Sequence, residues 1–392
     1  MGGRHAHGPS DGTRTSPRAL GAVAALLLVA VLAMVWLWPD GAPPSVVQQG
    51  TQVDGVVAAV AEQPCPEAPA SDPATASTQP TVCGTAQVRL TDGPDEGRTI
   101  TTALPSGVGA PVLETGDAVV LIHSPGSNPE LEYGVIDHQR STQLWVLLAA
   151  FALSVIAFGR WRGLSALVGL AFTFAVLVAF VVPAILDGKP PLAVAIIGCA
   201  VIVLVVLYLT HGFGRTTTVA LIGTLVSLVL TGLLSALAVT AMQLTGASDE
   251  SSFMVGQTHG VDVRGLLLAS ILIGSLGVLD DVTITQSVTV EELAAASPTA
   301  DAWVIYRAAT RIGRAHIASV INTIVLAYAG ASLPILVLIL ALDDPIGDIL
   351  TDQLIATEIV RSAVGTMGLI AAVPVTTAAA AWLYRGRAAQ RA

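Results

Sequence analysis

Long apolar runs alternate with short polar breaks over most of this chain, and the pattern changes once. Apolar stretches long enough to cross a bilayer occupy about 19–38, 142–158, 164–186, 192–210, 217–245, 264–286, 317–342 and 361–384. Between the first and second runs, residues 40–140 switch to short alternating segments, VDGVVAAV, AQVRL, RTITTAL and DAVVLIH, separated by Gly, Pro and Asp turns. Alternation of that kind predicts strands. The expected fold is therefore an all-α polytopic membrane bundle of about eight transmembrane helices. A small extracytoplasmic β domain, barrel-like or sandwich-like, is inserted between helices 1 and 2. Residues 64–80 form a Pro/Ala/Ser-rich insert within that domain.

Composition removes the soluble alternative. The chain is 53% hydrophobic and 12% charged, against about 25% charged residues in soluble domains. The formal charge of −10 is unevenly spread. Basic residues crowd the N-terminus, 160–162 and 307–314, while acids crowd 54–137 and the loops after Gly246 and Leu342. With the N-terminus inside, the loops at 160–162, 211–215, 307–314 and 385–387 all face the cytoplasm, as the positive-inside bias requires. Lys189 and Arg264 are exceptions. The expected layout is a cytoplasmic tail (1–18), an anchor (19–38), the exported domain (40–140), a seven-helix membrane domain (142–385) and a cytoplasmic tail (386–392). The long apolar run with Trp36, Trp38 and Pro39 after it fits a retained anchor better than a cleaved signal. The expected location is a bacterial inner membrane, multi-pass, with both termini cytoplasmic. The lipid bilayer is one partner. Nothing here reads nucleic acid, which needs a basic stripe with readout residues.

The chemistry concentrates in the sixth run, GLLLASILIGSLGVLDD. If its helix starts near Gly265, Asp280 lies about 22 Å along it, within a hydrocarbon core about 30 Å thick. Each carboxylate there costs about 2.5–3.5 kcal/mol on insertion scales, and two adjacent ones repel. Asp280, Thr283, Ser287 and Glu291 share a helical face, with Asp281, Thr285 and Glu292 beside it. Ser270, Gly274 and Gly277 lie above the same sector and suit a close helix contact. The β-branched stretch VTITQSVTV predicts a broken or unwound helix after Asp281. Three uses of the acids compete: an ion or solute pathway, a structural ion pair with Arg307, Arg311 or Arg314, and a plain interfacial loop.

Residues 300–316 are expected to form an amphipathic cytoplasmic helix. Its basic face, Arg307, Arg311 and Arg314, would meet anionic headgroups. Asn322 and Thr323, near the start of the seventh run, either glue helices or line a solute route. Cys65 and Cys83 fall on the oxidising side, where a disulfide and two free thiols are both open readings. Cys199 is a packing residue. No spacing of metal ligands, no nucleotide signature and no cofactor motif appears. An aspartyl protease site would need acids on two helices, so no enzyme is expected.

Two stretches carry a wider likeness: HGVDVRGLLLASILIGSLGVLDDVTITQSVTVEEL at 259–293 and RIGRAHIASVINTIVLAYAGASLPILVL at 311–338. Together they resemble the YibE/F-like family of bacterial multi-pass membrane proteins, over roughly 85–385. The resemblance implies an inner-membrane protein and points toward transport, without supplying a substrate or catalytic residues. The expected function is thus a secondary transporter or permease for an unidentified ion or small solute. The alternative is a non-catalytic assembly or signalling component that binds an extracytoplasmic protein partner through the β domain.

Overall fold

The computed structural model describes residues 17–41, 50–65, 82–107, 109–126, 132–341 and 345–390. The expected N-terminal tail up to residue 16, most of the 64–80 insert and the last two residues lie outside them. The chain divides into two compact units, Ser45–Phe158 and a second made of Met1–Pro44 with Gly159–Ala392.

The first unit holds five antiparallel strands: β1 (Thr51–Pro64), β2 (Val82–Leu90), β3 (Thr99–Ala103), β4 (Ala118–His123) and β5 (Tyr133–His138), in sheet order β3-β2-β1-β4-β5. The long β1 pairs with β2 through Gly55–Pro64 and with β4 through Thr51–Val56. A register shift follows Val57, where such bulges bend a strand. The two edge strands approach each other, and Thr102 Oγ1 donates to the Tyr133 carbonyl at 2.6 Å. The result is a partly open five-stranded barrel. Alternate residues point inward as the period of two requires. Val53, Val57, Ala86, Val88, Leu90, Ile100, Val119 and Leu121 fill the interior, with Leu113 from the β3–β4 connection. Cys65 and Cys83 are joined by a disulfide of 2.03 Å across the β1–β2 connection. Tyr133 stacks on His123, ring centroids 4.6 Å apart, and its hydroxyl donates to Asp95 at 2.9 Å. Burial, with the Asp95 carboxylate second, pushes the Tyr133 phenol up to about 12. β5, YGVIDH, was not among the expected strands.

The second unit is helical: α1 (Pro17–Trp36), the part of α2 (Ser141–Val176) beyond Gly159, α3 (Val182–Leu186), α4 (Pro191–His211), α5 (Arg215–Ala241), α6 (Glu250–His259), α7 (Val263–Ala296), α8 (Ala302–Ala331), α9 (Leu333–Ala341), α10 (Ile346–Thr351) and α11 (Gln353–Gln390). Among the described residues six helical stretches are long and apolar enough to cross a membrane, by length and composition. One is Ser141–Leu186, 46 residues, in which a π-turn over Leu177–Val181 joins α2 to α3. At about 1.5 Å per residue it would measure about 69 Å, twice a bilayer core. It breaks at Arg160, where φ is 51° and ψ −127°, between the two runs expected at 142–158 and 164–186. The apolar part of α1, Gly21–Trp36, is shorter than the rest. Large apolar side chains such as Leu147 (67%), Phe158 (95%), Val178 (68%) and Leu237 (67%) stand exposed. Soluble monomers rarely carry apolar surface on that scale.

Four expectations need correction. α7 is one continuous helix, so the break after Asp281 does not occur. Burial of Val282, Thr283, Ile284, Gln286, Ser287 and Val290 against neighbouring helices outweighs their poor propensity. The amphipathic helix at 300–316 and the span from 317 are likewise one helix, α8. Gly313 lies at its packing surface, where a Cβ would come 2.6 Å from Gln286 Oε1 and 2.7 Å from Val373 Cγ1. The loops expected around 249–262 and 343–352 contain the short helices α6 and α10. The expected tail beyond 386 continues α11 to Gln390. Lys189, an exception to the charge rule, donates to Asp40 at 2.6 Å and lies 3.5 Å from Asp187. The bond to Asp40 holds its ammonium above the ordinary lysine range. Arg264 donates to Thr240 Oγ1 at 2.7 Å.

Candidate polar seam between α5, α7 and α11

Thr217, Thr224, Ser227, Thr231 and Ser235 recur on α5 at helical spacing, and all are buried. In an apolar span such hydroxyls usually return their proton to the carbonyl one turn back. Thr224 does so to Ala220 (2.9 Å), Thr231 to Ser227 (2.8 Å) and Ser235 to Thr231 (2.7 Å).

The face of α7 expected to carry the pathway turns onto this stripe. Thr283 Oγ1 lies 2.6 Å from Thr224 Oγ1, and Ser287 Oγ donates to the Thr216 carbonyl at 2.9 Å. Glu291 accepts from the Thr216 hydroxyl, which also meets Tyr384 OH of α11 at 3.0 Å. Numbers fall along α5 as they rise along α7, so the two helices are antiparallel. That register brings the turn of Ser227 level with the turn of Asp280.

α11 closes the seam on its third side. A Cβ at Gly223 would lie 2.2 Å from Thr376 Oγ1, and a Cβ at Gly368 would lie 2.0 Å from Thr231 Oγ1. Glycine at these two places lets helix backbones approach within reach of a hydroxyl. The Ser227 and Thr376 hydroxyls are buried without a hydrogen-bond partner among the described residues. An orphaned buried hydroxyl costs about 1–3 kcal/mol. Here two of them flank the Thr224–Thr283 pair.

Asp280 is half-buried and Asp281 exposed. The Asp280 carboxylate accepts the Asp281 amide at 2.8 Å, and its carbonyl accepts from Thr283 Oγ1 at 3.0 Å. Neither acid makes an ion pair among the described residues, and Arg307, Arg311 and Arg314 are exposed. The structure thus brings none of the three arginines into an ion pair with either acid among the described residues. Asp281 lies within electrostatic reach of His211, at the end of α4. α7 begins at Val263, so Asp280 is about 25 Å along it.

The other expected residues are scattered. Asn322 and Thr323 are exposed, and Thr323 bonds back to Ser319 at 3.1 Å. They are not brought to the seam. Ser270 bonds back to Leu267 at 2.8 Å. A Cβ at Gly274 would meet the Tyr328 hydroxyl of α8 at 3.3 Å, whereas nothing approaches Gly277 within 4 Å. Among the described residues no group of His, Cys, Asp and Glu could hold a metal ion. Cys199 is a buried free thiol.

Two features escaped the sequence reading. The α5 hydroxyl stripe was legible as Thr/Ser at spacings of 7, 3, 4 and 4. The second is an ion pair inside α11, Glu358 with Arg361 at 2.7 Å. The expected last span began at 361 and so set Glu358 outside it.

No curated protein and no solved structure matches this chain. A family profile described as YibE/F-like protein matches residues 147–386. That match takes in every helix of the seam and well over half of the sequence, and the chain belongs to the YibE/F-like family.

Proposed function

We propose that this protein is a permease that passes a small solute or ion along the α5/α7/α11 seam of an inner-membrane bundle. In this reading the chain crosses the membrane eight times, with both ends cytoplasmic and the β barrel exported. Charge supports the orientation, since the break at Arg160 and the basic ends of α4, α8 and α11 then share the cytoplasmic side.

The observation that carries the proposal is the pair of buried, unpartnered hydroxyls, Ser227 and Thr376, beside the Thr224–Thr283 contact. Polar groups in a span usually satisfy one another, and orphans call for a water or solute. Asp280 lies one turn before Thr283 on α7, and an acid at that depth can take and release a proton or cation. The glycine contacts close the resting seam, so passage requires α11 to separate from α5.

The test is proton-coupled flux in proteoliposomes loaded with a pH dye, under an imposed membrane potential. Asp280→Asn should abolish flux, while Asp281→Asn should leave most of it. Equal flux in wild type and Asp280→Asn would remove the acid from the mechanism. Wild-type protein with no flux, but stably crosslinked to an exported partner through the β barrel, would favour an assembly role instead.

A further inference from the structure

α11 carries only two charged residues within its candidate span Gln353–Tyr384, and they are Glu358 and Arg361. Their side chains are 22% and 27% exposed. Arg361 lies about 12 Å from the start of the helix, deep enough for its charge to be costly. Such a pair needs more than mutual attraction to be worth keeping there.

The pairing leaves donors unused. Glu358 Oε1 accepts from Nη1 of Arg361 alone. Nε is buried and has no partner, and Nη2 has none among the described residues. Nε and Nη2 form one edge of the guanidinium, two parallel N–H groups whose spacing matches the two oxygens of a carboxylate. One turn back on the same face, the Thr357 hydroxyl is fully buried and has no partner among the described residues. The Tyr328 hydroxyl of α8 lies within electrostatic reach of both Arg361 and Glu358. Gly274 of α7 packs against it, since a Cβ there would lie 3.3 Å from the hydroxyl.

We infer that Arg361, Thr357 and Tyr328 form a binding site for a small monocarboxylate at the junction of α7, α8 and α11. Among the described residues the groups left without a partner are a cationic edge and the Thr357 hydroxyl, with the Tyr328 hydroxyl near, and Glu358 is spent on Arg361, so the ligand is an anion. One free guanidinium edge accommodates one carboxylate. A dianion such as phosphate or succinate would bring a second charge toward Glu358 with no second cation to meet it. Val360, Val364, Leu267 and Ile271 pack together around this stretch of α11, which suits a short aliphatic tail. As a station for transported solute the site rests on the permease reading; as a binding site it does not.

The test uses the full chain, purified into nanodiscs, with radiolabelled butyrate as the probe. The expected result is saturable binding displaced by acetate but not by phosphate or succinate. Arg361→Lys keeps the charge and loses the planar edge, and should weaken binding about tenfold. Thr357→Val and Tyr328→Phe keep shape and each lose a hydroxyl, and should weaken it severalfold in protein that stays monodisperse. Arg307→Gln, on the exposed basic face, should bind as wild type. Absence of saturable binding, equal affinity in Arg361→Lys, or displacement by phosphate as strong as by acetate would each overturn the assignment. Binding that responds to these variants without butyrate flux would keep the site and overturn the permease reading alone.

Discussion

Replacing Gly368 with alanine tests the close contact between α5 and α11 directly. The new Cβ would lie 2.0 Å from Thr231 Oγ1, 3.1 Å from its Cβ and 3.4 Å from its Cγ2. Carbon atoms in ordinary contact sit about 3.5–4.0 Å apart. Either the helices separate or Thr231 rotates. Separation is an overpacking cost of about 1–3 kcal/mol. Rotation breaks the 2.8 Å bond to the Ser227 carbonyl and strands another buried hydroxyl, at about 1–3 kcal/mol. Alanine returns about 1 kcal/mol of helix propensity. The net loss is up to about 2 kcal/mol, or up to about 8 °C in Tm for a unit of this size. Thermal unfolding in detergent, followed by size-exclusion fluorescence, reads it. Adding Thr231→Ala should restore most of the loss, because only the Cβ contact then remains. A Gly368→Ala protein more stable than wild type, showing the propensity gain with no steric cost, would refute the tight seam.

The β barrel offers two further predictions. The disulfide between Cys65 and Cys83 spans a sequence separation of 18, so Cys65→Ser with Cys83→Ser should cost the barrel about 3 kcal/mol; a melting curve of residues 50–140 unaffected by reductant would contradict this. Tyr133 is the only tyrosine of that segment. Its folded phenol sits near 12 against an ordinary value of 10, so the folded state holds its proton while the unfolded state loses it. The contribution to stability is full below about pH 10 and is lost as pH rises toward 12. Ultraviolet titration should show late ionisation, and Tyr133→Phe should flatten the alkaline loss of stability; ionisation at the ordinary value would count against the burial.

Much of this architecture is legible in the residues. Apolar runs and the placement of arginines announce a polytopic bundle, and period-two alternation marks four of the strands. β5 hides because YGVIDH mixes glycine and acid into a short strand. The face shared by Asp280, Thr283, Ser287 and Glu291 is visible on a helical wheel, but its partner is not. Thr224 and Thr231 bond to their own helix, Ser227 finds no partner among the described residues, and all three pass as neutral in hydropathy. Only packing shows them stacked against α7 and α11. VTITQSVTV misleads for a related reason, since tertiary burial overrides weak propensity. Glu358 and Arg361 were split by a span boundary, which hydropathy places only to within a few residues.

The seam itself is best tested by locking it. Cysteines at Thr224 and Thr283, in a Cys199→Ala background, replace hydroxyls that lie 2.6 Å apart, and oxidation should join α5 to α7. Flux into proteoliposomes should fall to background on oxidation and return on reduction, with each single-cysteine variant unaffected. Full flux through protein whose crosslink is complete would show that nothing passes between these helices.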